Sequence, residues 1–328
     1  MTQHKHFKAL VRARMARTGD RYATARRHVA EAVADVTLEP ITEFRAHERH
    51  AIAVAFMPDG RELLSGGFGG GATVRSTSDW SVVGELRGHE ASVNGFAFTA
   101  DGSRVATVSS DRTVRIWDVA GRRELLAVRG HGKSAVAVDV MPDGTFVTGG
   151  YDGAVRRWSP AGDELGRTTI GTRAVALAAH PSERWLAASA ATDEVLVLGD
   201  GGDEIARVPA DDVAASLRWS ADGASLVAGT CAGAHVWAAD TWERVRTSPL
   251  EDAGSSVVPV AVSPDGALLA AGWAHHVGVW RADGDEPAIT IDGLPKGVYG
   301  LAFAPDARLL AQCGADGVVR VWRVERRR

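Results

Sequence analysis

The chain has 328 residues, of which 45% are hydrophobic and 24% are charged, so it can bury a core and disorder is not expected as its main state. That length suits one large domain or two ordinary ones. The formal net charge of −4 hides an asymmetry, because residues 1–30 contain eight Lys or Arg and a single acid, Asp20. A basic surface is therefore expected at the N-terminus alone.

The two cysteines indicate a reducing compartment. Cys231 and Cys313 have no CxxC or similar metal-ligand spacing near them, and buried free thiols explain them better than a disulfide framework. The sequence has no apolar leader and no run of about 18 apolar residues, which predicts a cytoplasmic protein without a membrane span. Only four of its basic residues are Lys, which favours a GC-rich bacterial source.

Residues 1–35 predict a basic helical extension. Apolar residues follow helical spacing over residues 4–17 and 21–35, and Thr18-Gly19-Asp20 separates the two stretches, which predicts a helical hairpin. Its charge has two interpretations: contact with nucleic acid or an acidic partner, or the solvated face of a hairpin packed on the rest of the protein. We favour the second, because no helix-turn-helix motif, aromatic interleaving or zinc site supports the first.

A turn signal recurs seven times along the remaining sequence. Five copies read Pro/Ala-Asp-Gly and two are degenerate; the copies begin at Pro58, Ala100, Pro142, Pro181, Ala221, Pro264 and Pro305. An apolar or alternating stretch precedes each copy, and two further strand-like stretches follow it. A period near 40 residues with alternating apolar positions predicts an all-β protein of seven like units.

The third strand of most units ends in tryptophan, at Trp117, Trp158, Trp237, Trp280 and Trp322, and Leu198 takes this position in the fourth unit. Gly88-His89 leads to Trp117-Asp118, and Gly130-His131 leads to Trp158-Ser159. This spacing resembles the WD-repeat family. The resemblance covers about residues 40–324 and implies a seven-bladed β-propeller of four-stranded blades, assigned to residues 36–328.

The resemblance also implies a structural tetrad of His, Thr, Asp and Trp within a blade. The tetrads are His89, Thr107, Asp111 and Trp117 in the second blade and His131, Thr148, Asp152 and Trp158 in the third. A neutral imidazole donates to the Asp and accepts from the Thr, whose oxygen accepts from the indole. The first blade keeps His47 without a Trp, the seventh has Leu294 at the His position, and blades four to six lack the His. Apolar packing alone is expected in those three blades.

Ring closure requires one more strand, because the last unit ends soon after Trp322 with three strands and an open edge. Residues 40–46 read as a spare strand ahead of the first unit. Members of the family close the ring by lending such a strand to the last blade, so residues 40–46 are expected to complete the seventh blade.

The family resemblance implies two partner-contact positions in each blade, one before the Asp and one near the start of the innermost strand. The first set is Phe68, Ser110, Tyr151, Ala191, Thr230, Trp273 and Ala315, and the second is Ile52, Asn94, Val136, Val175, Ala215, Val258 and Tyr299. None is charged. Aromatic anchors concentrate binding energy, so a protein or peptide partner is expected at the mouth of the central channel. The predicted contacts are Phe68, Tyr151, Trp273, Tyr299, Ile52, Val136, Val175 and Val258.

A catalytic role has little support in the sequence. His47, His89 and His131 occupy structural positions, while His275 and His276 are neighbours that point to opposite faces of a strand. The glycine-rich run 66–71 lacks the helix and lysine of a phosphate loop. We predict a non-catalytic scaffold with no cofactor, metal, membrane partner or small-molecule substrate. The alternatives are a nucleic-acid-associated protein that uses the N-terminal helices and, third, a propeller hydrolase.

Overall fold

The chain forms seven antiparallel sheets of four strands each, and we call each sheet a blade. The computed structural model describes Met15 and residues 36–250, 257–282, 284, 286–295 and 297–326. In chain order the strands are β1 (Val36–Arg45), β2 (Ala51–Phe56), β3 (Glu62–Gly67), β4 (Gly71–Ser76), β5 (Val82–Arg87), β6 (Val93–Phe98), β7 (Arg104–Ser109), β8 (Thr113–Asp118), β9 (Arg123–Arg129), β10 (Ala135–Val140), β11 (Phe146–Gly150), β12 (Ala154–Trp158), β13 (Glu164–Thr169) and β14 (Ala174–Ala179). The strands that follow are β15 (Leu186–Ala190), β16 (Glu194–Leu198), β17 (Glu204–Pro209), β18 (Ser216–Trp219), β19 (Ser225–Thr230), β20 (Gly233–Ala238), β21 (Arg244–Ser248), β22 (Val260–Val262), β23 (Leu268–Trp273), β24 (His276–Arg281), β25 (Pro287–Ile291), β26 (Val298–Phe303), β27 (Leu309–Gly314) and β28 (Val318–Arg326).

Each blade is a meander whose first strand lines a central channel and whose fourth strand lies at the periphery. Blade one is β2-β3-β4-β5, the next five blades follow with consecutive strands, and blade seven has the order β26-β27-β28-β1. The first strands of neighbouring blades contact one another around the ring, including β26 with β2. The all-β, seven-bladed fold is therefore confirmed. Apart from Met15, the predicted helical hairpin lies outside the described residues, and within the described residues no helix could cross a membrane.

The recurring turn joins the first and second strands of a blade, and its chemistry explains its sequence. Asp59 Oδ1 accepts a hydrogen bond from the N–H of Arg61, and Asp101 Oδ1 accepts one from Ser103, both at 3.0 Å. The glycine after the Asp is left-handed, with φ of +72° at Gly60. The Asp therefore caps the turn, and glycine supplies a conformation that other residues adopt at a cost.

Strand β1 closes the ring by pairing antiparallel with β28 along its whole length. It spans residues 36–45 and thus begins four residues before the predicted 40–46, where Pro40 reads as a strand breaker. An outermost strand tolerates proline, because the N–H groups on its outer side face no other strand. A register shift at Ile41 follows the proline and restores the pairing. The added residues bury apolar surface, since Val36 packs with Ala288 of blade six.

The tryptophan at the end of the third strand packs its blade on the preceding one. Trp117 of blade two is buried against Met57, Leu64 and Val74 of blade one. The same contact with the preceding blade is made by Trp158, Trp237, Trp280 and Trp322. Each indole buries a large apolar area, so these contacts bind neighbouring blades together.

In blades two and three the tryptophan also belongs to a hydrogen-bonded tetrad. Trp117 Nε1 donates to Thr107 Oγ1 at 2.9 Å, His89 Nε2 lies 2.7 Å from the same oxygen, and His89 Nδ1 lies 2.9 Å from Asp111 Oδ2. Blade three repeats these bonds at 2.8, 2.9 and 3.0 Å with Trp158, Thr148, His131 and Asp152. A proton on Nδ1 gives both ring nitrogens a partner, so the buried polar atoms are satisfied.

Blades without the tetrad use other pairings in its place. In blade five the buried His235 lies 3.1 Å from both Thr230 Oγ1 and Thr247 Oγ1, so the expectation of apolar packing alone is wrong there. In blade one Arg75 occupies the tryptophan position, with its guanidinium 4.2 Å from the centre of the Phe44 ring. Both pairings join residues on different strands, and the repeat pattern does not specify them.

Cys231 and Cys313 do not form a disulfide. Cys313 is fully buried in β27, and burial raises the pKa of its thiol. Cys231 lies in the turn after β19 and is half-buried. The expectation of a buried thiol therefore holds for Cys313 and is wrong for Cys231.

Deletion of residues 36–45 should destabilise the protein far more than deletion of residues 1–35. The first deletion exposes the hydrogen-bonding edge of β28, whereas the second leaves all the described strands in place. Urea unfolding followed by tryptophan fluorescence measures the difference. Equal losses in the two variants would contradict the closing role of β1.

Replacement of Trp117 by Ala should cost about 3–5 kcal/mol of unfolding free energy, because it leaves a large cavity and removes the donor to Thr107. The matched control is Val245→Ala in β21, where the valine is 61% exposed. We expect the control to change stability by less than about 0.5 kcal/mol. A cost below about 1 kcal/mol for Trp117→Ala would refute the packing role of this residue.

Stability should fall as the pH drops below about 6.5. Burial lowers the pKa of His89 and His131 below their ordinary value of 6.5, in spite of the neighbouring Asp111 and Asp152. The unfolded chain therefore binds protons that the folded chain does not, and stability is fully present only above 6.5. Each histidine contributes a slope of at most about 1.4 kcal/mol per pH unit. Unfolding free energies between about pH 8 and about pH 5 measure the slope, and His89→Gln with His131→Gln should flatten it.

Candidate partner-binding site

The mouth of the central channel is formed by two loops from each blade, the segment that enters the first strand and the turn between the second and third strands. In blade two the tetrad joins these loops, because His89 lies in the entering segment and Asp111 lies in the turn. Asp111 Oδ2 also accepts from the N–H of Glu90 at 3.0 Å. The tetrad therefore fixes the loops that carry the neighbouring mouth residues.

The charge of Asp111 is stabilised by these contacts. Burial by itself raises the pKa of this carboxyl, but hydrogen bonds from Thr113 and from the Glu90 N–H outweigh burial and lower the pKa to about 2. Asp111 is therefore ionised at neutral pH, while burial keeps His89 neutral. The hydrogen bond between Asp111 and His89 therefore has a structural role, and neither group changes its charge near neutral pH as a general acid or base would.

The predicted innermost-strand positions mostly line the channel. Six of the seven do so: Ile52, Asn94, Val136, Val175, Ala215 and Tyr299.

Two polar side chains near the channel form hydrogen bonds between neighbouring blades. Asn94 Nδ2 donates to the Ala135 carbonyl at 2.8 Å, and Asp139 Oδ2 accepts from the Ala179 N–H at 2.9 Å. Burial raises the pKa of Asp139. Most side chains that line the channel are thus apolar, and Asn94 and Asp139 make contacts between blades.

Val258 is the exception, because it is fully buried while Val257 and Pro259 line the channel. The pairing of Val260 with Ala271 in blade six corresponds to that of Leu301 with Gln312 in blade seven. Val258 is therefore the equivalent of Tyr299, but the register of blade seven shifts at Tyr299, whereas the pairing of β22 with β23 begins only at Val260. The assignment of Val258 to the channel is wrong, because the strand is turned so that its two neighbours line the channel instead.

The predicted turn positions differ in exposure from blade to blade. Phe68 and Tyr151 are 41% and 38% exposed at the mouth, whereas Trp273 is 6% exposed and Thr230 is fully buried. Trp273 pairs with His276 and Thr230 pairs with Gly233, so both belong to the strand ladder of a tight hairpin. Phe68 and Tyr151 follow the last residue of a strand and lie in the turn itself. The expectation of an exposed Trp273 is therefore wrong.

An aromatic cluster spans blades seven and one at the mouth. The ring of His50 lies 5.0 Å from that of Phe68 and 5.6 Å from that of Tyr299, stacked on the latter at 14°. The Arg49 guanidinium lies 5.3 Å from the centre of the Phe68 ring. We call Phe68, His50, Tyr299 and Arg49 the aromatic cluster. His50 and Arg49 were not predicted, because neither lies at one of the two repeated positions.

Tyr151 of blade three has its own arginine neighbour, with the Arg173 guanidinium 5.2 Å from the centre of the tyrosine ring. Arg173 belongs to the segment that enters β14 of blade four. An arginine over an aromatic face is attracted by the ring and keeps donors free for another acceptor. The mouth therefore combines two exposed aromatic positions with two arginines.

The adjacent histidines of blade six do not converge on one site. His275 Nδ1 lies 2.8 Å from the Leu294 carbonyl oxygen, and His276 Nδ1 lies 2.9 Å from Asp292 Oδ1. The two rings thus have separate partners, as expected for neighbours on a strand. Within the described ranges, no group of three or more His, Cys, Asp or Glu could hold a metal ion.

Comparison with known sequences reproduces the repeat pattern. The family described as WD domain, G-beta repeat matches residues 38–75, 80–118, 123–159 and 286–323. The unmatched stretch between residues 159 and 286 contains blades four and five and the first three strands of blade six. The chain is 25% identical over 289 residues to the serine-threonine kinase receptor-associated protein of Gallus gallus, covering 84% of this chain and 80% of that protein.

Two further relatives are similar over shorter stretches. The guanine nucleotide-binding protein subunit beta-like protein of Encephalitozoon cuniculi is 27% identical over 244 residues, which is 72% of this chain and 66% of that protein. Protein groucho of Drosophila melanogaster is 27% identical over 150 residues, which is 44% of this chain and 20% of that protein. All three relatives are eukaryotic, so a bacterial source stays a prediction. Two of the four matched stretches end in the tetrad-bearing blades two and three, and the strands close a ring of seven blades, so the chain is a seven-bladed β-propeller that carries WD repeats.

Proposed function

We propose that this propeller is a non-catalytic scaffold that binds a protein or peptide partner across the mouth of its channel. The exposure of Phe68 and Tyr151 on the turns around the mouth carries the proposal. Interfaces concentrate their energy in aromatic anchors, and large apolar side chains exposed together commonly mark a binding surface. The names of two relatives, a receptor-associated protein and a G-protein subunit beta-like protein, agree with a role in protein assemblies.

The position of the two aromatic residues distinguishes them from the other exposed apolar side chains in the described part of the chain. Those side chains lie on the outermost strands: Val82, Val83, Leu125, Leu165, Ile205 and Val245. They are distributed along the periphery of blades one to five, one or two to a blade. Phe68 and Tyr151 instead border the channel on blades one and three, where one partner can cover both.

The arginines define the chemistry of the partner. Arg49 and Arg173 lie over the faces of Phe68 and Tyr151. Each guanidinium can still donate hydrogen bonds to the carboxylate of an acidic side chain. The aromatic cluster extends the apolar surface from Phe68 to Tyr299 at the channel wall. We therefore infer a partner segment with apolar or aromatic anchors beside acidic residues. Two cysteines that do not form a disulfide favour a reducing compartment, and a cytoplasmic location is part of the proposal.

The double substitution Phe68→Ala with Tyr151→Ala should abolish partner capture from the native cell. With the captured partner purified, the double variant should bind at least about 30-fold more weakly, the equivalent of about 2 kcal/mol, because two anchors are lost. Titration calorimetry with wild-type and variant protein measures this ratio. The control is Val245→Ala, which removes an exposed apolar side chain from a peripheral strand.

Two results would contradict the mouth as the binding site. One is unchanged affinity in the double variant, with an unchanged melting temperature. The other is an equal loss of affinity in the Val245→Ala control.

The basic N-terminal segment supports a second candidate function, binding of nucleic acid, since residues 1–30 carry eight basic residues and one acid. We expect the full chain to bind DNA or RNA with an affinity that falls steeply with salt, and a chain lacking residues 1–35 to lose that binding. Fluorescence anisotropy with a labelled oligonucleotide at several salt concentrations measures both. Equal binding by the two chains would reject this function.

A further inference from the structure

A pocket opens between blades three and four at the end of the ring opposite the mouth. Its lining includes the turns between the first and second strands, at Asp143 and Arg184, and the turn 199–202 between β16 and β17. These turns lie at the other ends of the strands from the mouth loops. The cavity volume is about 360 Å³, and small-molecule sites usually measure about 300–1,000 Å³. The pocket is therefore large enough for a small ligand and separate from the mouth.

The pocket lies where blade four carries Leu198 at the tryptophan position. Leu198 pairs with Leu186, as Trp158 pairs with Phe146 in blade three. In five blades an indole at this position packs on the preceding blade. Leucine is smaller than tryptophan and does not reach as far along Met141 of blade three. The substitution therefore explains why the cavity lies at this boundary between blades.

The pocket has an apolar floor and a charged lip. The floor consists of buried side chains, namely Met141, Val147, Val155, Leu186 and Leu198. The lip carries three arginines, Arg157, Arg167 and Arg184, and two aspartates, Asp143 and Asp200, so three positive and two negative charges leave a net charge of +1.

The charges of the lip are paired except for one cation. Asp200 Oδ1 lies 2.5 Å from Arg157 Nη2, and Asp200 Oδ2 lies 2.8 Å from Arg184 Nη1. Arg184 also lies 3.7 Å from Asp143. Among the residues that the structure describes, Arg167 has neither an ion pair nor a side-chain hydrogen bond. Arg167 can therefore pair with a carboxylate brought by a ligand.

Glycine brings one wall of the pocket close to blade three. Gly202 has a φ of +84°, and a Cβ at this position would collide with Thr168 Oγ1 of β13. The turn 199–202 therefore packs directly against the outer strand of blade three. This contact closes one side of the pocket between the two blades.

We propose that this pocket binds a small aromatic carboxylate. A planar ring of about the size of indole would occupy the space that tryptophan fills at the other boundaries, in the way that apolar cavities bind benzene. The carboxylate would pair with Arg167 at the positively charged lip. The same ring with a cationic arm would meet the net positive charge and bind more weakly. This site does not depend on the function proposed for the mouth.

Isothermal titration of the full chain with indole-3-acetate tests the proposal, with neutral indole and cationic tryptamine as matched probes. We expect saturable binding of indole-3-acetate with a Kd below about 1 mM, at least about fivefold tighter than binding of tryptamine. Arg167→Gln should remove this preference while indole binding persists. Absence of saturable binding by the wild-type chain, or no preference for the carboxylate, would overturn the proposal.

The variant Leu198→Trp places an indole from the protein itself in the pocket, and it should weaken indole-3-acetate binding at least about tenfold. Leu198→Phe fills the pocket partly and replaces Leu198→Trp should that variant fail to fold, as judged by its melting temperature. Ile205→Trp is the control, since it adds the same residue at an exposed position of the next outer strand and should leave binding unchanged. Undiminished binding by the folded Leu198 variants, or equal losses in the Ile205→Trp control, would place the ligand elsewhere.

Discussion

The antiparallel pairing of β1 with β28 is the interaction on which the ring depends. This single strand satisfies the outer edge of blade seven and touches both neighbouring blades. Val36, near its start, enters the core shared with Ala288 of blade six, and Phe44, near its end, stacks with Arg75 of blade one. Without β1, blades six, seven and one would each lose apolar contacts, and β28 would expose its hydrogen-bonding edge. Closure therefore fixes the position of every blade relative to the channel.

Within the closed ring, one position per blade decides how neighbouring blades pack. Tryptophan fills it in five blades, an arginine on an aromatic ring fills it in blade one, and leucine occupies it in blade four. The tetrads of blades two and three add hydrogen bonds that satisfy buried polar atoms beside this contact. In blade five, the buried His235 pairs with the hydroxyl groups of two threonines instead. A fold of repeated units can thus tolerate different side chains at one position, even though leucine in blade four leaves a pocket and the buried indole N–H groups of Trp237 and Trp280 have no hydrogen-bond partner among the described residues.

The two ends of the ring carry different surfaces as a result. At the mouth, the tetrads hold loops whose neighbouring residues include Tyr151, and the meeting of blades seven and one builds the aromatic cluster. At the opposite end, the smaller Leu198 leaves a pocket between blades three and four. The aromatic cluster uses residues from two neighbouring blades, and so does the pocket. The scaffold can therefore present two sites with separate chemistry, since neither needs the other to form.

The amino-acid sequence specifies the features that each repeat contains within its own 40 or so residues. The Asp-Gly turns, the alternating strands, the two tetrads and the need for a closing strand are local patterns that predicted the fold, and six of the seven residues assigned to the innermost strands line the channel. The repeat pattern did not predict which side chains are exposed at the mouth. The repeat pattern aligns Phe68 with Trp273, whereas the strand pairing aligns Gly67 with Trp273, so Phe68 lies in a turn and Trp273 lies in a strand ladder.

The burial of Val258, the stacking of His50 on Tyr299 and the pocket beside Leu198 depend on the tertiary structure. In the last two cases the residues that meet belong to different blades, and in the first the register shift that blade seven has at Tyr299 has no counterpart in the described pairing of β22 with β23. A repeat pattern describes what a blade contains. Which side chains remain exposed depends on how each blade packs against its neighbours, because burial is a property of the contact between blades.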